Sequence, residues 1–320
     1  MNRAMVWTAL LAATVCSSAQ NKVDSVVYDK ATEWKVYRSD GPSTHFAVQG
    51  ATLWQSTADK VMSAAITAGT KVGASKSYPT LGGLPASGVS AMATDSSGAV
   101  WFGTGGGLAV LKGAAFTTYN AQNGLSSNEV TAILPLADGR VFVGTKDGLC
   151  VCKAGAWTVY KKEQGLRSSE IKCLTVDGRG AVWVGTPLGI SILLDGKWSS
   201  QTMDNGMSWN DTRALGFDPR SKKMWAAVGE QDVNCYDGKS WQVYMGIEEG
   251  ILCIMSDSQS RIWFGSAAGL MKFNGEEWLT DPGKLGVPAK LVSQMYRDAS
   301  GNLWFASENG VIFLKNPYPF

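Results

Sequence analysis

One short phrase recurs seven times along this chain, and its spacing constrains the fold more than any other feature. The clearest copies are DSSGAVWFGTGGGL from Asp95, ADGRVFVGTKDGL from Ala137, DGRGAVWVGTPLGI from Asp177, DSQSRIWFGSAAGL from Asp257 and DASGNLWFASENGV from Asp298. Degraded copies begin at Gln49 (QGATLWQSTADKV) and at Asp218 (DPRSKKMWAAVGEQDV). The aromatic of the phrase is Trp54, Trp101, Phe142, Trp183, Trp225, Trp263 and Trp304, at separations of 47, 41, 41, 42, 38 and 41 residues. A period of roughly 40 residues with several short strands per copy marks a radial array of blades. The expected fold is all-β: a seven-bladed β-propeller with four antiparallel strands per blade.

The copy from Val130 to Leu166 shows how a blade is built. Val130 to Leu134 is a short apolar run, the innermost strand. The Asp138-Gly139 pair turns the chain, because Asp caps its own turn and Gly accepts a positive φ. Val141 to Thr145 is the second strand, Gly148 opens the third, and Trp157 to Tyr160 is the outer fourth. Tryptophans on second strands (Trp101, Trp183, Trp225, Trp263, Trp304) and on fourth strands (Trp157, Trp198, Trp241, Trp278, with Phe116 as stand-in) suit the contact between twisted sheets. The last copy ends at Lys315 after three strands. Its missing fourth strand matches TEWKVYR around Trp34, so the N-terminal strand is expected to complete the seventh blade and remove an open edge. Losing residues 31–38 should therefore do more harm than an ordinary end trim.

Residues 1–19 read as a secretory signal peptide, with Arg3 as the positive start, Ala4 to Val15 as a short apolar core and cleavage near Ala19. A lipoprotein anchored through Cys16 is the alternative, against which Val15 is bulky. Residues 20–30 read as a linker and 31–320 as the propeller. The expected location is periplasmic or secreted. A net charge of +2 with no Lys/Arg run is no footprint for nucleic acid or anionic membrane, and no later segment could span a bilayer. A monomer is compatible with this surface.

Five cysteines follow the leader: Cys150, Cys152, Cys173, Cys235 and Cys253. An odd number in an exported chain can mean a reactive thiol. By register, however, Cys173 and Cys253 fall where other copies carry Ala91, Ala132, Ala214 and Ser293, while Cys152 and Cys235 match Leu111 and Leu193. They read as small buried hydrophobes. No spacing suggests zinc.

The run D-x-x-G-x-[VL]-W-[FV]-G-[TS]-x-x-G-L, followed by W-x-x-Y and by QNGLSSNEV from Gln122 to Val130, resembles the two-component regulator propeller repeat over about residues 31–315. The resemblance implies a propeller of the kind that forms the periplasmic sensor of a long histidine kinase, where two rings precede an immunoglobulin-like domain, a membrane helix and the kinase. This sequence has one ring and ends at Phe320, so it is not expected to act as a kinase. A binding or sensing ring is the reading that follows. A more distant likeness is to the streptogramin lyases, which cleave a cyclic depsipeptide using a histidine base and magnesium. The one histidine here is His45, a chemically sensible general base but without that family's surrounding residues.

Propellers bind ligands at one mouth of the central channel, lined by the loops into each first strand and the loops between second and third strands. The position before the first strand is read as His45, Gly88, Glu129, Glu170, Asp211, Gly250 and Lys290, which puts Glu129, Glu170 and Asp211 on three adjacent blades. Blade five departs most from the repeat. GMSWNDT carries Trp209, the one tryptophan outside the repeat positions after the leader, and Gly229-Glu230-Gln231-Asp232 replaces the usual Gly-Leu. Trp209, Asn210, Asp211, Glu230 and Asp232 are expected to converge there. An exposed indole beside carboxylates suits a sugar, a cationic group or a peptide, although the indole could equally cover its own loop. The same acids could serve as a glycosidase pair or hold Ca²⁺ or Mg²⁺ with ligands from several blades; no cofactor is otherwise expected. Blade one carries a longer hairpin through residues 68–76. The favoured expectation is a non-enzymatic ring that binds a small molecule, glycan or protein at its mouth. The alternatives are an enzyme using His45 or the rim carboxylates, and a scaffold for protein assembly.

Overall fold

The computed structural model describes residues 34–37, 42–66, 76–79, 83–247, 250–279 and 289–315. The expected leader, the linker and the long hairpin of blade one lie outside them. The propeller unit begins at Trp34. It contains seven four-stranded antiparallel sheets. Six are simple meanders; blade three, for example, runs Val130–Pro135, Arg140–Thr145, Gly148–Lys153 and Ala156–Tyr160. The seventh takes three strands from the C-terminal end and its outer strand, Trp34–Tyr37, from the N-terminal end. Trp34 pairs with Leu314 and Tyr37 with Val311, so the expected closure is present. Among the described residues, no helix is long and apolar enough to cross a membrane.

The core lies between blades. Each second strand is buried apart, at most, from its first residue, and wholly so in Val100–Thr104 and Val182–Thr186, because a neighbouring sheet covers each face. Trp54, Val61, Val89 and Phe102 join blades one and two. Trp101, Val130, Val141 and Cys152 join two and three, and Trp183, Leu215 and Met224 join four and five. Between blades seven and one, Tyr37, Phe46, Leu53 and Trp304 pack together. The outer strand of blade three half-buries its aromatics and leaves the other residues exposed, as with Trp157 and Tyr160 in Ala156–Tyr160.

The repeated phrase is a set of local hydrogen bonds. In blade two, Asp95 Oδ1 accepts the N–H groups of Ser97 (2.8 Å) and Ala99 (3.0 Å), while Oδ2 accepts the indole N–H of Trp101 at 2.7 Å. The same clamp joins Asp177 to Trp183 at 3.1 Å, Asp257 to Trp263 at 3.0 Å and Asp298 to Trp304 at 3.1 Å. One carboxylate thus closes the turn between the first two strands and satisfies the wedge tryptophan. Burial opposes ionisation of Asp177, but the bonds from Trp183, Arg179 and Ala181 outweigh it and hold the carboxyl below its usual range. Blade three changes both partners together: Leu136 stands where the Asp stands and Phe142, with no N–H, where the Trp stands. The glycine after the aromatic is a point of close approach, since a Cβ on Gly144 would lie 2.6 Å from Ile171 of the next blade. The Thr/Ser that follows it donates to the carbonyl of the glycine opening the third strand, as Thr145 does to Gly148 at 2.9 Å.

Two register assignments are corrected. The residue equivalent to Cys173 and Cys253 in blade seven is Gln294, which pairs with Ala306, and not Ser293. Cys235 pairs with Trp225, which places it at the position of Val151 and Ile192 and not that of Leu111. The cause is one additional residue in the blade-five loop Gly229-Glu230-Gln231. The cysteines are still packing groups: burial pushes the Cys173 and Cys253 thiols up to about 12 and that of Cys235 to about 11.

Replacing Asp257 by Ala should leave the Trp263 N–H unsatisfied in a buried site and lower stability by about 1–3 kcal/mol, measured by urea unfolding. An unchanged midpoint would show that the clamp contributes nothing.

Candidate functional site

The loops before first strands and the loops between second and third strands lie on one face, as the meander requires. The strand pairing places Glu129, Glu170 and Asp211 immediately before Val130, Ile171 and Thr212, as expected. It does not place His45 there. His45 pairs with Ser56, as Ala91 pairs with Gly103 and Cys253 with Gly265. His45 therefore sits three residues beyond the rim position, which in blade one is Pro42. In blade seven the rim position is Leu291 and not Lys290, because Val292 opens the paired strand.

His45 is a contact between blades. Cys173 and Cys253, at the equivalent position, direct their thiols at the carbonyls of Thr212 (4.0 Å) and Val292 (3.7 Å) on the next blade. His45 makes the equivalent bond, to the backbone of Val89 on blade two. Its Nδ1 is buried without a hydrogen-bond partner. Burial lowers its pKa to about 4 despite the bond to Val89, so the ring is neutral at pH 7. Such a base is a weak proton acceptor at neutral pH.

Two of the three rim carboxylates, Glu170 and Asp211, are tied to cations. Glu170 pairs with Lys146 at 2.7 Å. Asp211 holds Lys172 through one oxygen and Arg213 through the other, the latter at 3.2 Å. Glu129 is exposed, and its carbonyl accepts the N–H of Lys146 at 3.0 Å. Among the described residues, no group of three or more His, Cys, Asp or Glu side chains could hold a metal ion.

The structure does bring the blade-five residues together. Gly229 N–H donates to the Asp211 carbonyl at 2.8 Å, which joins the two loops. The indole of Trp209 lies on Gly229, where a Cβ would come within 2.8 Å of it, yet Trp209 is 55% exposed. Trp209 therefore packs on the neighbouring loop, between the second and third strands, and presents a face to solvent. Glu230 is exposed, and Asp232 is buried beside Arg213 and Ile251 in a narrow crevice. Asn210 braces the loop instead of facing outward: its Oδ1 accepts the Met203 N–H at 2.9 Å, as Asn128 does for Ala121 at 2.8 Å.

The sequence reading missed the apolar residues around Trp209. Leu188 (47% exposed), Met203 (50%) and Met245 (78%) are all on this face of blades four and five. Contacts between their loops hold them on this face. Thr202, next to Met203, packs on Gly189, next to Leu188. Met203 is bonded to Asn210, next to Trp209. Ile247 N–H donates to the Gln231 carbonyl at 3.0 Å, which holds the Met245 loop against the rim. The only sequence signal was length and composition in the loop MDNGMSWND.

The sequence of the family described as Two component regulator propeller matches residues 83–106, within blade two. No curated protein sequence matches the chain. Among solved structures, an extracellular domain assigned to the one component system BT4673 of B. thetaiotaomicron superposes with a TM-score of 0.68 at 13% identity, covering 88% of this chain and 39% of that one. The chain thus spans about two fifths of the length of that extracellular domain. A catalytically inactive virginiamycin B lyase from Staphylococcus aureus, solved with Quinupristin, gives 0.69 at 14% identity, covering 88% and 99%. YCF48 bound to D1 peptide gives 0.66 at 13% identity, covering 88% and 96%. These likenesses establish the propeller fold.

The single imidazole allows a clean pH test. In the unfolded chain a histidine titrates near 6.5, whereas His45 in the fold titrates near 4. Between those values the unfolded state binds the proton more tightly, so the wild type should be fully stable above pH 6.5 and lose stability as the pH falls toward 4. Urea unfolding of His45→Ala should lack this part of the decline. Parallel pH profiles for the two proteins would contradict the burial of His45.

Proposed function

We propose that this chain is a binding ring of a sensing system, which takes a polypeptide segment on the mouth face of blades four and five without chemistry of its own. The observation that carries the reading is a group of four large, apolar, exposed side chains, Leu188, Met203, Trp209 and Met245, on the mouth face of blades four and five. Exposed apolar side chains scattered singly are ordinary, but a contiguous set rimmed by charges marks an interaction surface. Here the rim is the Lys172–Asp211–Arg213 group with Glu230. A tryptophan at the centre of such a set is the residue type that dominates binding energy in protein interfaces. The peptide seated on YCF48 supports the idea that a ring of this shape can take one. The match of blade two to the two-component regulator propeller supports the sensing role.

The absence of chemistry is argued from what the reactive groups do. His45 is spent on contact with blade two, and Glu170 and Asp211 are spent on lysine and arginine. Neither arrangement leaves a base poised over an open site.

Panning a displayed peptide library on the folded protein should return segments with an apolar anchor. Trp209→Ala should weaken their binding by about 2 kcal/mol or more, read by calorimetry, with no loss of thermal stability. Selected peptides that bind Trp209→Ala as well as wild type would rule out this surface. Saturable binding on an oligosaccharide array, lost in the same variant, would replace the peptide with a glycan.

A further inference from the structure

A second concavity is on the opposite face from the mouth. It is a cleft of about 540 Å³ between blades four and five, within the range of small-molecule sites. One side is the first turn of blade four, Asp177 to Arg179, with Trp183 behind it. The other side is blade five: Phe217, Pro219, Lys222 and Met224, then Tyr236 to Gly238.

Blade five opens this cleft by three departures from the repeat. Its first turn has one extra residue, since Asp218 and Trp225 are seven positions apart where Asp95 and Trp101 are six. The clamp is lost as a result. Asp218 accepts from Ser221 instead, and the Trp225 N–H is buried without a partner. Tyr236 stands where blades two, three and four carry Leu111, Cys152 and Leu193. Phe217 stands where they carry Thr94, Pro135 and Val176. Both rings are half-buried at the cleft, and Tyr236 is backed by Trp183 at 5.9 Å and Trp241 at 5.0 Å between centroids. Phe217 and Tyr236 thus both line the cleft; of the two positions, blade six shares an aromatic only at the second, Phe273.

The charges around it are asymmetric. Arg179 is committed to Asp177, its Nη2 lying 2.9 Å and its Nε 3.2 Å from Oδ2. Lys222 is exposed, and its ammonium has no ion pair among the described residues. It also has a φ of +59° at the turn position that other blades fill with Gly98, Gly139, Gly180 and Gly301. Blade six also carries a residue other than glycine at this turn position, Ser260 with a φ of +61°. At the far end, Asp237 accepts the N–H groups of Lys239 and Ser240, each at 2.8 Å, which hold its carboxyl below the usual range. Its negative charge disfavours a second anionic group at that end.

We propose that this cleft binds an aromatic monocarboxylate, with its ring body against Phe217 and Tyr236 and its carboxylate on Lys222. The site is separate from the mouth surface, so the two readings stand or fall independently.

The test is calorimetric titration of the full chain with 2-naphthylacetate, in wild type, Lys222→Gly and Tyr236→Leu. Both substitutions install the residue that other blades use at that position, so both variants should fold; Lys222→Gly should be at least as stable as wild type. Saturable binding is expected in wild type, about five-fold weaker in Lys222→Gly, as for loss of a partly exposed ion pair. Tyr236→Leu should also weaken it. The neutral amide of the probe should not distinguish wild type from Lys222→Gly. The proposal is overturned if wild type shows no saturable binding, or if Lys222→Gly binds the acid as tightly. It is also overturned if binding is abolished by Trp209→Ala and kept in Lys222→Gly, which would place the probe at the mouth.

Discussion

A sheet buried on both faces can exist only if something covers both faces, and in this protein that requirement generates the remainder. The second strand of every blade is buried apart, at most, from its first residue. No blade has a core of its own; the apolar clusters lie between neighbours. A row of such sheets would leave two raw faces, and a ring leaves none. Pairing of Trp34–Tyr37 with the last strand, backed by the bonds Ser43 N–H to Ser307 and Phe46 N–H to Gln294, is what joins the ends. Because the ends of the chain meet within one sheet, opening the ring requires breaking a blade.

The Asp–Trp clamp connects this global requirement to local chemistry. A wedge tryptophan is well suited to the space between twisted sheets, but its N–H needs an acceptor when buried. The carboxylate at the adjacent turn supplies one oxygen to that N–H and the other to the turn itself. Blade three shows that the two residues form a unit, since Leu136 and Phe142 depart together. Blade five shows what happens when the spacing slips: Asp218 turns to its own loop, Trp225 loses its acceptor, and a cleft opens beside it. The mouth surface and the cleft are on opposite faces of the same irregular blade. A ring that gives six blades to architecture can vary one at lower cost, because each blade touches only its neighbours.

Much of the fold was readable because period and turn chemistry are local. The second and fourth strands, the closure through Trp34 and the rim places of Glu129, Glu170 and Asp211 all follow from the spacing of aromatics and glycines. The errors fell where those markers are missing. Blade one has Ser56 and Thr57 in place of Gly-Thr, so nothing in its sequence showed that His45 lies within the strand. The single added residue near Glu230 moved Cys235 by one position. The candidate site was legible only in part. Trp209, Asp211 and Glu230 stood out as departures from the repeat, but Leu188 and Met203 resemble the buried apolar residues on either side of them.

The sequence by itself determined the architecture: a repeat of this period, with a strand displaced to the other end of the chain, has one economical way to bury its aromatics. It also determined which blade is irregular, because departures from a repeat are visible by comparison within the chain. Only the tertiary structure decided what those irregular residues do. Whether a carboxylate faces water or a lysine, whether a histidine is an open base or a wedge against the next blade, and whether a methionine is core or surface depend on groups contributed by neighbouring blades. Those neighbours are about forty residues away in sequence and in contact in space, and the repeat pattern records that they meet without recording which of their atoms do.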